Sequence, residues 1–531
     1  SEMCIRDRGH RRSSDGIMRF LFYDSAASAL GIEYLIPTLE AGGHDVSLYL
    51  DPSLNREYVS QDFIFKEPFS LSHEMIYEDI MAYRPEIIGF SMSSIYFKSH
   101  LGIIQHIKRK SPDIIIVCGG VHTTLVPNRV LEHPEIDFAV VGEAEYSLPA
   151  LVNAIAEMGP ARVKALPAAA LPGVWSVHDG AVQDRGLSPV PLDLDQLAFP
   201  AKDLVYAANP KLAISYSISA SRGCFFSCTY CNSASLRKLY SHCTMKYHRS
   251  RSVDNVVEEL RLAKDRYRAK HVEFYDEVFA SDRDWLEAFS HRYKNEIGLP
   301  YGAETHPMVL DREKLRLLAD SGCVVLELGF QSANQYLREN ILRRTDRTDK
   351  VRDILRWAEE FGIGIELDLI VNLPGETMEH VRETIAFIQD MRPPVVNLSF
   401  LQYLPKAEII DKAIAHGILS EADIPAIESG ENFGPIRFPL KSCKKNEYHL
   451  LPTQVFMASR FPAWLSRRLI PLIEKPVLSA LFIMFAPILI YSFRFYMAVF
   501  DRRNYFLRWH MWRVLYSMKR VVRRKFFGKK T

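Results

Sequence analysis

Three cysteines, Cys224, Cys228 and Cys231, stand at C-x3-C-x2-C spacing in the stretch Ser221-Arg222-Gly223-Cys224-Phe225-Phe226-Ser227-Cys228-Thr229-Tyr230-Cys231-Asn232. They follow directly on an alternating apolar run, residues 214–220, which predicts a β-strand. Thiolates are the usual ligands of iron–sulfur clusters, and a cubane normally takes four of them. Three in one short loop can hold three irons and leave the fourth open to an exogenous ligand. The competing chemistry is structural zinc, which requires a fourth Cys or His at a matching spacing. His242 and Cys243 are the near candidates for it.

The elements that must position this loop repeat a strand–helix pattern. In the first part of the chain, strands are predicted at 19–24, 45–50, 86–92, 113–118 and 136–141, with helices at 31–41, 73–83, 97–110, 128–132 and from 147. Such alternation specifies a parallel sheet covered on both faces, with ligands at the carboxyl ends of its strands. The turns at those ends are small and glycine-rich: Ser91-Met92-Ser93-Ser94, Gly119-Gly120-Val121-His122-Thr123 and Gly142-Glu143-Ala144-Glu145. Residues 154–210, rich in Ala, Pro and Asp, read as a connector with a small hairpin near 174–177. Six further strands follow at 214–220, 271–275, 301–304, 324–330, 364–371 and 395–403. Amphipathic helices lie between them, stopped at Gly322 and Gly362. Six strand–helix units predict a partial (β/α)6 barrel open on one side, with chemistry at the ends where strands run into loops. Those ends carry Asp276-Glu277, Glu304-Thr305, Gln331-Ser332 and Asn372-Leu373-Pro374-Gly375-Glu376-Thr377. Asp282 suits a helix N-cap.

The cysteine loop resembles that of the radical S-adenosylmethionine (radical SAM) superfamily, and the later strand ends resemble the family's motifs in order. The resemblance implies a four-iron four-sulfur cluster on Cys224, Cys228 and Cys231, its open iron chelating the amino and carboxylate groups of S-adenosylmethionine. Reduction in that family releases a 5′-deoxyadenosyl radical. It also implies contacts to S-adenosylmethionine from Tyr230, Asp276, Glu277, Glu304, Gln331, Ser332, Pro374 and Gly375. With all these motifs present together, the zinc alternative recedes. Upstream, the stretch from Gly119 to Glu145 resembles the cobalamin-binding domain that precedes many radical SAM cores, which implies corrinoid contacts from Ser91, Ser93, Gly119, Gly120, His122, Gly142 and Glu143. The D-x-H-x-x-G motif that places a histidine below cobalt is absent, so the lower base would be displaced with no histidine on the metal. The implied activity is that of a class B radical SAM methyltransferase acting on an unactivated carbon of a small, lipid-like substrate, with a cytoplasmic flavodoxin or ferredoxin as electron donor. Oxidative cyclisation or rearrangement without methyl transfer is the enzymatic alternative. A membrane-anchored corrinoid or cluster sensor is the non-enzymatic one, and it has no need of the S-adenosylmethionine motifs.

Composition sets the frame. A length of 531 residues favours two or three domains, and 48% apolar with 24% charged residues describes a folded chain rather than a disordered one. Eight scattered cysteines with one tight cluster suit a reducing compartment. The net charge of +2 points to no partner class, and no nucleic-acid module accompanies the basic residues. Residues 1–14 are polar and basic without an apolar core, which reads as a non-native leader ahead of a natural start at Met18. Near the other end, residues 477–493 carry no charge but include Pro487. Their 17 residues sit at the lower edge of a membrane span. Arg494, Arg502, Arg503, Arg508, Arg513, Lys519, Arg520, Arg523 and Arg524 follow among aromatics. This pattern predicts peripheral contact with the inner face of the membrane, the alternative being a helical cap on the barrel. The expected architecture is α/β: a leader (1–17), a doubly wound, flavodoxin-like parallel sheet (18–157), a connector (158–211), a partial (β/α)6 radical SAM barrel (212–412), a helical extension (413–470) and a membrane-tending tail (471–531).

Overall fold

A computed structural model describes residues 16–24, 30–53, 70–242, 247–431 and 445–475, and, towards the C-terminus, 478–479, 515–516, 518–526 and 528. Strands β1 (Arg19–Asp24), β2 (Asp45–Leu50), β3 (Ile87–Ser91), β4 (Ile115–Gly119) and β5 (Phe138–Val140) form a parallel sheet in the order β2-β1-β3-β4-β5. This is the flavodoxin-like doubly wound order, with its switch point between β1 and β3. Each strand is a near-continuous apolar run because both faces are covered. Alternate residues feed two cores: Phe20 and Phe22 on one face, Leu21 and Tyr23 on the other. A hairpin, β6 (Val174–His178) and β7 (Ala181–Gln183), adds antiparallel to β5. It forms where a hairpin was expected, and it extends the first sheet into the stretch read as connector.

β8 (Ser215–Ile218) leads into the cysteine loop, whose root forms a two-stranded ribbon of β9 (Ser221–Arg222) and β10 (Arg249–Ser250). The remaining strands are β11 (His271–Phe274), β12 (Tyr301–Thr305), β13 (Cys323–Gln331), β14 (Gly364–Val371) and β15 (Val395–Phe400). All six barrel strands are parallel, in the order β15-β14-β13-β12-β11-β8. The end strands β8 and β15 do not pair, so the barrel is partial. Period-2 alternation sends Tyr216, Ile218, Phe274, Tyr301, Leu326, Leu328, Ile365 and Leu367 outward under the helices. The positions between them, including Glu273, Glu304, Glu327, Glu366 and Asp368, face the lumen. Asp282 caps its helix as expected, its carboxylate accepting from the Trp285 N–H at 2.8 Å.

Beyond the barrel, helices Lys445–Arg460 and Ala463–Ile473 seat Leu450, Leu451, Val455, Ile470 and Ile473 in its outer core. Apart from Leu478 and Ser479, the apolar run 477–493 lies outside the described residues, as do residues 1–15. Among the described residues no helix is long and apolar enough to cross a membrane. The basic tail departs in part from the expected surface role. Val521 is fully buried in the first domain's core, and Arg520 donates to the Ala208 carbonyl at 3.4 Å. Arg524 pairs with buried Asp79 at 3.0 Å and with Glu78 at 2.5 Å. The buried carboxylate of Asp79, joined by the half-exposed Glu78, claims Arg524 in place of a membrane surface.

Removing a partner from a buried pair leaves an uncompensated charge. Arg524→Ala is therefore expected to destabilise the first domain by about 3 kcal/mol, read as a lower denaturant midpoint for its transition; Asp79→Asn combined with Arg524→Ala should recover part of the loss.

Candidate functional site

The cysteine loop is rooted on a buried carboxylate. Asp276, at the end of β11, accepts from the Ala220 N–H at 3.0 Å and the Ser221 hydroxyl at 2.5 Å. Both its oxygens are engaged beneath the loop, so it holds the loop's root instead of reaching outward as the resemblance implied. Burial pushes its pKa up to about 6, against the pull of those hydrogen bonds. Gly223 follows with φ +83°, and a Cβ there would stand 2.5 Å from the Tyr247 carbonyl oxygen, so only glycine fits. On the far side the Thr229 hydroxyl donates to the Ile341 carbonyl at 2.6 Å, and its own carbonyl accepts from Ile409 N–H at 2.9 Å.

In the space around this loop the three thiols are near enough to act on one another electrostatically. Burial pushes Cys224 up to about 12, opposed by a Phe226 N–H donating to its sulfur at 3.4 Å. Burial likewise raises Cys228, with the Arg344 guanidinium pulling the other way. Cys231 starts the helix Asn232–Leu239. Among the described residues no three His, Cys, Asp or Glu side chains are gathered for a single metal ion. Cys243 and the His242 side chain lie outside the described residues. Three thiols spread round one loop are a donor set that fits a cubane cluster with an open iron.

Around this space the barrel ends supply the expected groups unevenly. Glu277 opens onto the recess and accepts from the Ser233 hydroxyl at 2.8 Å; burial of the recess raises its pKa. Tyr230 accepts at its hydroxyl from Arg344 at 3.2 Å. Gln331 is buried at φ +70°, with no hydrogen-bond partner for Oε1. The Ser332 hydroxyl is turned back on the Asn334 N–H at 3.2 Å. In the turn 372–377, Glu376 accepts from Asn372 N–H at 2.6 Å and Leu373 N–H at 3.2 Å, closing the loop that presents Pro374 and Gly375.

Several residues escaped the sequence reading. Arg344 is buried and donates to Tyr230, to Asp346 at 3.0 Å and to the Gly329 carbonyl at 2.5 Å, binding the cysteine loop to the end of β13. His306 stacks on Phe226 with ring centroids 3.8 Å apart. Its Nδ1 accepts from Met308 N–H at 3.1 Å, which puts the neutral ring's proton on Nε2, a buried atom without a hydrogen-bond partner. The lumen is acidic: Glu304 and Glu327 are ladder neighbours, and Asp368 lies across β14. Burial and mutual repulsion raise Glu304 to about 8 and Asp368 to about 9, although Asn397 donates to Asp368 at 3.1 Å. Only the strand-end position of Glu304 marked it in the sequence; Glu327 and Asp368 were hidden in apolar-looking strands.

Facing the cysteine loop are the turns of the first sheet. The Ser93 hydroxyl, after β3, is a buried polar atom without a partner, which fits a polar ligand seated at these turns. Gly120 has φ +92° and packs on the Met92 backbone, Gly119 ends β4, and Ser91 is exposed at the end of β3. His122 is fully buried, bonded through Nδ1 to the Ser94 hydroxyl at 3.0 Å and packed on Phe97, so it sits in the core and not at an open edge. Glu143, expected to serve a corrinoid, is instead engaged by Arg222 at 2.8 Å and by Arg249.

A doubly wound sheet facing the cysteine end of a partial parallel barrel defines a two-cofactor architecture, and comparison with known proteins gives the same division. Residues 218–388 match the Radical SAM superfamily, and residues 23–152 match the B12 binding domain. An uncharacterized methyltransferase of Pyrococcus horikoshii is 24% identical over 394 residues, covering 73% of this chain and 79% of the relative. The anaerobic magnesium-protoporphyrin IX monomethyl ester cyclase of Rubrivivax gelatinosus is 24% identical over 391 residues, 72% of this chain and 65% of the cyclase. Among solved structures, the cobalamin-dependent S-adenosylmethionine radical enzyme OxsB, with aqua-cobalamin and S-adenosylmethionine bound, superimposes with a TM-score of 0.62 at 15% identity, covering 96% of this chain and 80% of that one. That likeness shows the fold. The chain belongs to the radical SAM superfamily, in the group that carries a cobalamin-binding domain. It is an enzyme of that group, whose cofactors are S-adenosylmethionine with its four-iron four-sulfur cluster, and cobalamin.

A carboxyl whose pKa is raised by folding contributes stability that is whole below its unfolded pKa, about 4, and is lost progressively as pH rises to the folded value. Stability is thus expected to fall from about pH 5 upward and to level off only past about 8 and about 9, where Glu304 and Asp368 ionise in the folded protein. In Asp368→Asn that decline should be shallower; thermal midpoints measured across the interval check it, and an unchanged slope would refute the assignment.

Proposed function

We propose that this enzyme methylates an unactivated carbon of a small substrate held between the corrinoid-domain turns and the mouth of the barrel. The observation that carries this reading is the meeting of the two sites: the turn after β5 grips the residue two positions before Cys224. The cluster supplies an electron for cleavage of S-adenosylmethionine, and methylated cobalamin supplies the methyl group.

The chain's own residues bind and orient. Cys224, Cys228 and Cys231 hold the cluster, and Asp276 and Gly223 fix their loop. Glu277 stands where it meets an ammonium beside the cluster, a charge-assisted contact. Tyr230, Glu304, Gln331, Ser332, Pro374 and Gly375 frame the remainder of the S-adenosylmethionine groove. Ser91, Ser93, Gly119, Gly120 and Gly142 form the corrinoid rim, with Glu143 serving it through Arg222. The lumen carboxyls Glu304 and Asp368, raised to about 8 and about 9, hold protons at neutral pH and present hydroxyl donors to whatever enters, and burial raises Glu327 beside them. A reduced flavodoxin or ferredoxin is the donor class we assign, in the cytoplasm. The lipid-like substrate and the peripheral membrane contact rest on residues 477–514, nearly all outside the described residues.

A second reading, cyclisation or rearrangement without methyl transfer, is favoured by the cyclase relative. The anaerobically reconstituted wild-type protein is expected to show cluster absorbance and, once reduced, to release 5′-deoxyadenosine. Cys228→Ala should lose both. With methyl-labelled S-adenosylmethionine and extract of a deletion strain, methyl transfer yields a labelled product one methyl heavier; an unlabelled product supports cyclisation instead. Absence of 5′-deoxyadenosine from the wild type would sink both readings.

A further inference from the structure

One contact between the two cofactor-bearing halves is an ion cluster of four residues. Arg222, in β9, reaches Glu143 Oε2 at 2.8 Å and Glu145 Oε1 at 2.6 Å with a single nitrogen. Its guanidinium lies over the ring of Tyr34, also in the first domain, at 4.9 Å. Arg249, paired with Arg222 across the ribbon, engages both oxygens of Glu143 and donates to the Pro191 carbonyl at 2.6 Å. Two arginines against two glutamates balance in charge, and the Glu145 and Arg249 side chains are only 6% and 7% exposed.

We propose that Arg222, Arg249, Glu143 and Glu145 form a positioning clasp that couples the two cofactor sites, so that occupancy of the corrinoid turns tightens binding of S-adenosylmethionine in the barrel, and the converse. The clasp rests on the cofactor assignment above and goes beyond it by making the two affinities depend on each other.

There is little slack along the path. Arg222 and Cys224 are separated by Gly223 alone, held at φ +83° so close to the Tyr247 carbonyl that a Cβ would stand 2.5 Å from its oxygen. Ser221, on the other side, is fixed by Asp276. Glu143 and Glu145 follow Gly142, at φ +107°, where a Cβ would come within 2.8 Å of the Tyr240 hydroxyl. Tyr240 immediately follows the helix that begins at Cys231. The corrinoid turn therefore touches the cysteine loop's entry through Arg222 and its exit helix through Tyr240. A half-buried ion cluster resists partial opening, because each charge set free stays desolvated. It passes on a shift of the turn instead of absorbing it.

Coupling between two binding sites is reciprocal by thermodynamic necessity and commonly amounts to fivefold or more. The test is equilibrium binding of hydroxocobalamin to the cluster-reconstituted full chain, with and without saturating S-adenosylmethionine, and the mirror measurement of S-adenosylmethionine with and without hydroxocobalamin. In the wild type, both ratios should be equal and at least about fivefold. In Glu145→Gln and Arg222→Met, both should fall to within about twofold of unity, while S-adenosylmethionine binding to Glu145→Gln without cobalamin stays near wild type. Arg222→Lys, which keeps the charge but loses the planar guanidinium that lies over Tyr34, should retain an intermediate ratio and serves if Arg222→Met fails to fold. Either a wild-type ratio of one, or a Glu145→Gln variant with undiminished ratios, overturns the clasp. A wild type that takes up no hydroxocobalamin in either condition overturns the corrinoid assignment, and the clasp with it. A merely structural contact would lower affinities without moving the ratio.

Discussion

The Asp276 carboxylate, buried under the first cysteine and accepting from Ala220 and Ser221, is the constraint on which the site depends. A loop carrying three thiols has little apolar surface to bury, so its shape must come from directed polar contacts. Asp276 supplies them at the root, Thr229 at the crown, and Arg344 from the side. These contacts tie the loop after β8 to the end of β11 and to the segment that follows β13, so the loop's geometry depends on several parts of the barrel at once. Burial of Asp276 is costly, and its raised pKa measures that cost. The two hydrogen bonds keep the residue in place.

The barrel interior follows a different logic from its exterior. Outward positions are filled with Leu, Ile, Phe and Tyr packed under helices, whereas the lumen holds Glu273, Glu304, Glu327, Glu366 and Asp368. Like charges opposite one another on adjacent strands destabilise a sheet. Burial raises the pKa of Glu273, Glu304, Glu327 and Asp368, which relieves part of that repulsion by retaining protons. Perturbed carboxyls gathered in a concave space are characteristic of sites shaped for chemistry rather than for stability.

Much of this was legible in the sequence. Strand positions in both sheets followed from apolar runs bounded by turn residues, and β14 matched its expected limits of 364–371. The cysteine spacing and the acidic and glycine-rich strand ends located the site. Side-chain direction was not legible. Asp276 and Glu277 are adjacent and chemically alike, yet one turns under the loop and the other opens onto the recess. His122 in a glycine-rich turn has the same local sequence whether it faces a ligand or the core, and Phe97 and Ser94, distant in the chain, decide the matter. Glu143 was assigned to a ligand because nothing local revealed two arginines arriving from residues 222 and 249. The tail misled for a similar reason, since the carboxylates that claim Arg524 lie far away in sequence.

That last pairing bears on the order in which the protein is made. Arg524 meets Asp79 at a sequence separation of 445, and Val521 closes a core whose other buried members run from Leu21 to Trp175. The domain synthesised before the barrel must therefore wait, with a buried carboxylate unpaired and part of its apolar core uncovered, until the barrel and the helices after it have left the ribosome. At ordinary rates of translation that interval is on the order of tens of seconds to minutes. Completion of the corrinoid half is in this way tied to completion of the radical-generating half.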